Sequence, residues 1–144
     1  MKQVWRIITP TVALFLAIAT FVGCGGSGVK TVKVDGKLMK GKEPHTQGDA
    51  EKVNLAFVSQ DSKESKSYPA VVNKDGTFTV TGGMPPGKYK MTINLTLEGN
   101  SPEILSKQST LNKQFLAVND KTCDITSDSE QHLTIDTTTG TVTK

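Results

Sequence analysis

In a chain of 144 residues, chemistry beyond packing could start at two cysteines, Cys24 and Cys123, and two histidines, His45 and His132. The histidines are distant from each other. Neither lies in an H-E-x-x-H or H-x-x-E pattern, and C-x-x-C is absent, so the spacing gives no zinc site. No G-x-S-x-G elbow and no phosphate-binding glycine loop is present either. Cys123 lies in Thr122-Cys123-Asp124-Ile125-Thr126 and shares the strand parity of Ile125, which reads as a small buried thiol. A nucleophilic thiol wants a histidine base and positive surroundings, whereas Asp120, Asp124 and Asp128 supply the opposite charge. Asn119, Asp120, Asp124, Asp128 and Glu130 offer the oxygen ligands that Ca²⁺ favours, but at no EF-hand spacing, and such loop acids are usually solvated. His132 alternates with Thr134 and reads as an outward strand residue. The expectation is no catalytic residue, no metal and no cofactor.

Charge narrows the partners. The formal +3 combines 17 basic with 14 acidic residues, and two of the basic ones, Lys2 and Arg6, stand at the extreme N-terminus. Without them the balance is 15 to 14, which gives no basic footprint for nucleic acid. Arg6 is the only arginine, so bidentate recognition of phosphate or carboxylate is not expected from the rest of the chain.

The other cysteine sits in a different context. Lys2 and Arg6 precede an uncharged stretch whose apolar run, Val12–Val22, is about half the roughly 20 residues that span a bilayer and suits a signal-peptide core. Its end, Phe21-Val22-Gly23-Cys24, resembles a bacterial lipobox, with the small Gly23 before the cysteine and Phe21 where an aliphatic residue is usual. The resemblance implies cleavage between Gly23 and Cys24 and a diacylglyceryl group on Cys24. Residues 1–23 are then a lipoprotein signal peptide, 24–28 a Gly/Ser tether carrying the lipid, and 29–144 a single domain. Two or three acyl chains, at about 0.8 kcal/mol per buried CH₂, hold such a protein on its membrane. The alternatives are an ordinary secretory signal or an uncleaved anchor with Cys24 incidental. A Cys24–Cys123 disulfide is open only where lipidation fails.

The elements that follow read as strands. In Tyr89–Leu97 the odd positions are apolar and the even ones polar, the period of a half-buried strand. Phe78 and Val80 alternate with Thr77, Thr79 and Thr81; Val32 with Val34, Val53 with Leu55 and Phe57, and Leu133 with Ile135 share parities. Asn73-Lys74-Asp75-Gly76 is a hairpin turn in which Gly76 takes positive φ. Gly82–Gly87, with Pro85 and Pro86, is a forced loop. Ser101-Pro102-Glu103 looks like an N-cap with proline at the first helical position, while Ser109-Thr110 weakens the helical pattern. At most one short helix, or a loop with one turn, is therefore expected near 102–118, with Ile104, Leu105, Leu111 and Phe115 able to face the sheet. Pro44–Glu51, which carries His45, and Asp61–Ser67 read as polar loops, and residues 121–143 as two or three short strands with a turn at Thr139-Gly140. About seven short strands with Gly- and Pro-rich turns predict an all-β, antiparallel, Greek-key-type β-sandwich. Its core draws on Val32, Val34, Leu55, Phe57, Phe78, Val80, Tyr89, Met91, Ile93, Leu95, Ile125, Leu133 and Ile135.

The strand starts Asp75-Gly76-Thr77-Phe78 and Pro86-Gly87-Lys88-Tyr89, following Asp35-Gly36-Lys37-Leu38 and Val53–Phe57, resemble the carboxypeptidase-regulatory-like, transthyretin-like β-sandwich of many small bacterial lipoproteins. The resemblance implies that Gly76 and Gly87 make turns and that Phe78 and Tyr89 point into the core. It covers 29–97 well and 115–144 loosely; 41–52 and 98–120 depart from it. The family shares no single activity. Related hydroxyisourate hydrolases use His and Arg, and no arginine follows Arg6. The expected function is a non-enzymatic, lipid-anchored protein at the periplasmic or surface face of a bacterial envelope. It would be held to membrane lipid through acylated Cys24, with an unidentified envelope protein or glycan as partner and no nucleic acid. The alternative is a small-ligand or carbohydrate-binding carrier, for which Tyr68 and Phe115 are the aromatic residues left spare by the core.

Overall fold

A computed structural model describes residues 29–60 and 65–144. Cys24, Gly23, the expected leader 1–23 and the expected tether 24–28 lie outside the described residues, as does most of the expected loop 61–67. The elements in order are β1 (Lys33–Lys40), β2 (Glu43–Pro44), β3 (Glu51–Ser59), β4 (Ser67–Val72), β5 (Thr77–Val80) and β6 (Gly87–Leu97). Then come α1 (Pro102–Asn112), a 3₁₀ turn (Lys113–Phe115), β7 (Thr122–Ile125), β8 (Glu130–Asp136) and β9 (Val142–Thr143). The protein is all-β with one short helix.

Eight strands form one hydrogen-bonded path, β7-β6-β3-β4-β5-β1-β8-β9, with β2 paired to β1 beside it. The ends of the path come together. The turn before β9 packs Gly140 onto the Ala117 carbonyl just ahead of β7, and Lys144 is close enough to Cys123 of β7 to act on its thiol. The sheet is a nearly closed barrel of nine strands, where the sequence suggested about seven in a sandwich. One pair is also not antiparallel: β1 and β8 run parallel from Lys33↔Glu130 to Met39↔Asp136. Period-two alternation marks a buried face but carries no information on strand direction or on which strand lies alongside. A strongly twisted small sheet satisfies the same alternation by rolling around one core.

Every residue expected in the core is buried, in one cluster that also takes in Leu38, Val53, Met84, Phe115, Val118 and Cys123. Along β6, Tyr89, Met91, Ile93 and Leu95 are buried while Thr92, Asn94 and Thr96 are exposed. β4 and β5 form the expected hairpin, paired from Ala70↔Val80 to Val72↔Phe78, with Gly76 at φ 82°. Phe78 and Tyr89 are 1 % and 2 % exposed, and Gly87 is the first residue of β6. Ser101 caps α1, its side chain accepting from the Ile104 N–H, with Pro102 in the first turn. The helix proper stops at Asn112, short of residue 118, and buries no residue of its own; Leu105 is exposed. Phe115 and Val118, beyond its end, are the buried anchors.

Candidate functional site

The groups with chemical potential are scattered. Cys123 is buried at the antiparallel position opposite Tyr89, and burial, assisted by Asp124, pushes its thiol up to about 11. Such a thiol is inert at neutral pH. His132 lies on the outer face of β8 beside Asp35 of β1, its parallel neighbour, and Nδ1 meets the Asp35 carboxylate. The candidate calcium ligands do not converge: Asn119 accepts from the Ile93 N–H, Asp120 pairs with Lys90 at 2.7 Å, Asp128 accepts from Thr126 and Glu130 pairs with Lys33 at 3.2 Å. Among the described residues no three His, Cys, Asp or Glu side chains are grouped to hold a metal.

His45 departs from the polar-loop reading. It follows β2 directly, is 5 % exposed, and its ring lies 5.3 Å from that of Phe115, tilted by 59°. Nδ1 is buried with no hydrogen-bond partner. Burial lowers its pKa below the ordinary 6.5, Lys40 lowers it further, and Glu51 acts in the opposite direction. His45, Lys40, Glu43, Glu51 and Gln114 border a polar pocket of about 330 Å³. Phe115, a spare aromatic in the sequence reading, is wholly buried here and is unavailable to a sugar.

The second spare aromatic behaves differently. Tyr68 of β4 is half-buried, meets Tyr89 edge-on at 5.6 Å, and together with Pro85, Pro86, Lys66 and Ser59 lines a cleft of about 200 Å³. The Tyr89 hydroxyl donates to the Pro85 carbonyl at 2.6 Å, which fixes the proline loop against β6. Met84, just before the prolines, exchanges backbone hydrogen bonds with Val32 at 2.8 and 3.0 Å. The cleft is therefore at the end of the barrel where the described chain begins.

Sheet edges decide whether a partner strand can add on. β7 pairs only with Gly87–Lys90 of β6, which leaves the rest of that edge to be covered. It is covered by side-chain amides. The N–H groups of Ile93, Leu95 and Leu97 donate to the side-chain oxygens of Asn119 (2.6 Å), Asn112 (2.6 Å) and Gln108 (2.9 Å). The Met91 N–H donates to the Lys121 carbonyl at 2.9 Å, and the Asp120 N–H to Met91 at 3.1 Å. Gln108 and Asn112 are four apart on one face of α1, so their spacing along the helix approximates the two-residue step of Leu97 and Leu95. The sequence marks Asn119 only as a candidate calcium ligand and gives Gln108 and Asn112 no role. The available signal was a pair of amide side chains at helical spacing beside a long strand with no neighbour assigned.

No family model matches the chain and no curated protein does. A crystal structure of (S)-allantoin synthase is similar over 80 % of this chain and 43 % of its own, at 14 % identity and a TM-score of 0.43. The chain thus spans less than half the length of that protein. Among the described residues no helix is long and apolar enough to cross a membrane.

Proposed function

We propose that this is a non-enzymatic lipoprotein of the bacterial envelope, held at the membrane by an acylated Cys24 and acting as an interaction or structural module. The observation that carries the reading is Phe21-Val22-Gly23-Cys24, placed after a short apolar run and five residues before the first described residue. The raised thiol of Cys123 and the buried ring of His45 support a role without catalysis. The transthyretin-like kinship belongs to the same proposal and rests on the strand starts at Gly76 and Gly87.

Cys24→Ser tests the anchor. Wild type should partition into detergent and carry acyl mass on an N-terminal peptide that begins at Cys24, because several buried chains outweigh the solubility of a polar domain. The variant should lose that mass. An unmodified Cys24 still joined to Gly23, or linked to Cys123, would overturn the reading.

The cleft at Tyr68 favours a second reading, a carrier for a small ligand or a glycan. An aromatic face flanked by Lys66 and Ser59 has the composition of a saccharide subsite. Calorimetric titration with soluble envelope glycan fragments should then show binding that Tyr68→Ala abolishes; no heat with wild type would end this reading.

A further inference from the structure

The segment from α1 to Val118 covers the edge of β6 with few apolar anchors. α1 has no fully buried residue; its Leu111 packs against the core only in part, and the rest of the attachment depends on Phe115, Val118 and the amides of Gln108, Asn112 and Asn119. Elements held this way open at a lower free energy than the core. Phe115 rests on the ring of His45.

His45 is poorly placed to carry a charge. Its Nδ1 is shut away from both solvent and any acceptor, and a second N–H there would go unsatisfied. From β1 it is approached by Lys40, from β2 by Glu43 and from β3 by Glu51, while the helical segment presents uncharged Leu111, Gln114 and Phe115. From the turn between β4 and β5 it meets the Gly76 backbone; Asp75 beside it is exposed and accepts from Thr77. The carboxylates of Glu43 and Glu51 border the open pocket, so an imidazolium has somewhere to go once it leaves Phe115.

We propose that His45 is an acid-sensitive latch: neutral, it pins Phe115 and with it the amide cover of β6; protonated, it swings toward the pocket and lets that cover detach. The detached state frees the N–H groups of Ile93, Leu95 and Leu97, a sheet edge of the kind that accepts an added strand. The folded state prefers the neutral ring, so the latch is fully closed above 6.5, the ordinary value, and weakens as pH falls through it toward the lowered folded one.

Amide hydrogen exchange on the full-length protein at about pH 7.5 and about pH 5, corrected for intrinsic rates, tests this. Protection at Ile93, Leu95 and Leu97 should fall roughly tenfold or more at the lower pH, while Leu133 and Ile135 in β8 stay protected. His45→Phe, which cannot protonate, should remove the pH dependence; His45→Gln serves where that variant does not fold. Unchanged protection in wild type, the same loss in the neutral variant, or a loss shared by β8 would each overturn the proposal.

Discussion

Asn112 and Leu95 are joined in both directions: the Leu95 N–H donates to Asn112 Oδ1 at 2.6 Å, and Asn112 Nδ2 donates to the Leu95 carbonyl at 3.0 Å. A side-chain amide has the donor and acceptor of a peptide group, so Asn112 does for Leu95 what an antiparallel neighbour would do. This also closes an edge that would otherwise present unpaired groups to other chains.

Asn112→Ala removes both partners of Leu95 at once. Leaving a partly buried N–H and C=O unpaired should cost about 1–3 kcal/mol. The denaturant midpoint should fall with little change in slope, and dimer or higher species should grow with concentration as the edge opens. A midpoint equal to wild type would mean that water replaces the amide without loss.

Glycine is required at two positions for different reasons. A Cβ on Gly76, at φ 82°, would stand 2.6 Å from the His45 carbonyl oxygen, so Gly76→Val adds a contact to a left-handed conformation that itself costs about 1–2 kcal/mol. At Gly36, inside β1, a Cβ would stand 1.9 Å from the Leu133 carbonyl oxygen and 2.8 Å from the Phe78 ring. With β5 on one side and β8 on the other, β1 cannot move aside, so Gly36→Ala should cost roughly 3 kcal/mol or more. Thermal unfolding of both variants tests this; wild-type stability in Gly36→Ala would contradict the placement of β1, and in Gly76→Val the left-handed turn.

The alternation in β6 makes a paired test. Ile93 is 2 % exposed, and Ile93→Ala should destabilise by about 2–5 kcal/mol. Thr92→Ala, one residue away on the outer face, loses only a long 3.4 Å hydrogen bond to the Ala56 carbonyl and should cost far less. Equal effects on the denaturant midpoint would contradict the assignment of the inward face.

Much of this was legible in the sequence because burial along a strand has a period of two. Tyr89–Leu95 and Phe78–Val80 declare their inward faces in their own residues, and Gly76 marks its turn by the φ only glycine takes readily. The parallel pairing of β1 with β8 was not legible, because alternation is the same for either direction and the partners are 97 residues apart. His45 was misread for a related reason. Among Lys42, Glu43, Thr46 and Gln47 it looks solvated, and its burial comes from Phe115, about seventy residues later. The polar composition of α1 also hid its role, since Gln108 and Asn112 act through hydrogen bonds rather than an apolar stripe. Of the site residues, Tyr68 could be picked out as a spare aromatic, but its cleft depends on the proline loop reaching across to β4.

Cys123 yields a prediction that bears on both ends of the chain. Cys123 is 7 % exposed, and with its thiol pKa pushed up to about 11 only about one in a thousand is thiolate at pH 8. The native protein should react slowly with an aromatic disulfide reagent, and denaturant should speed the reaction by roughly a hundredfold or more as access opens and the pKa relaxes. The number of thiols found then carries the second result. One per chain is expected if Cys24 is acylated, since only Cys123 remains to react. Two would mean a free Cys24 and no lipid, and none would mean that the two cysteines are joined. Fast single-thiol labelling without denaturant would instead show that β7 opens readily, against the burial of Cys123 beside Tyr89.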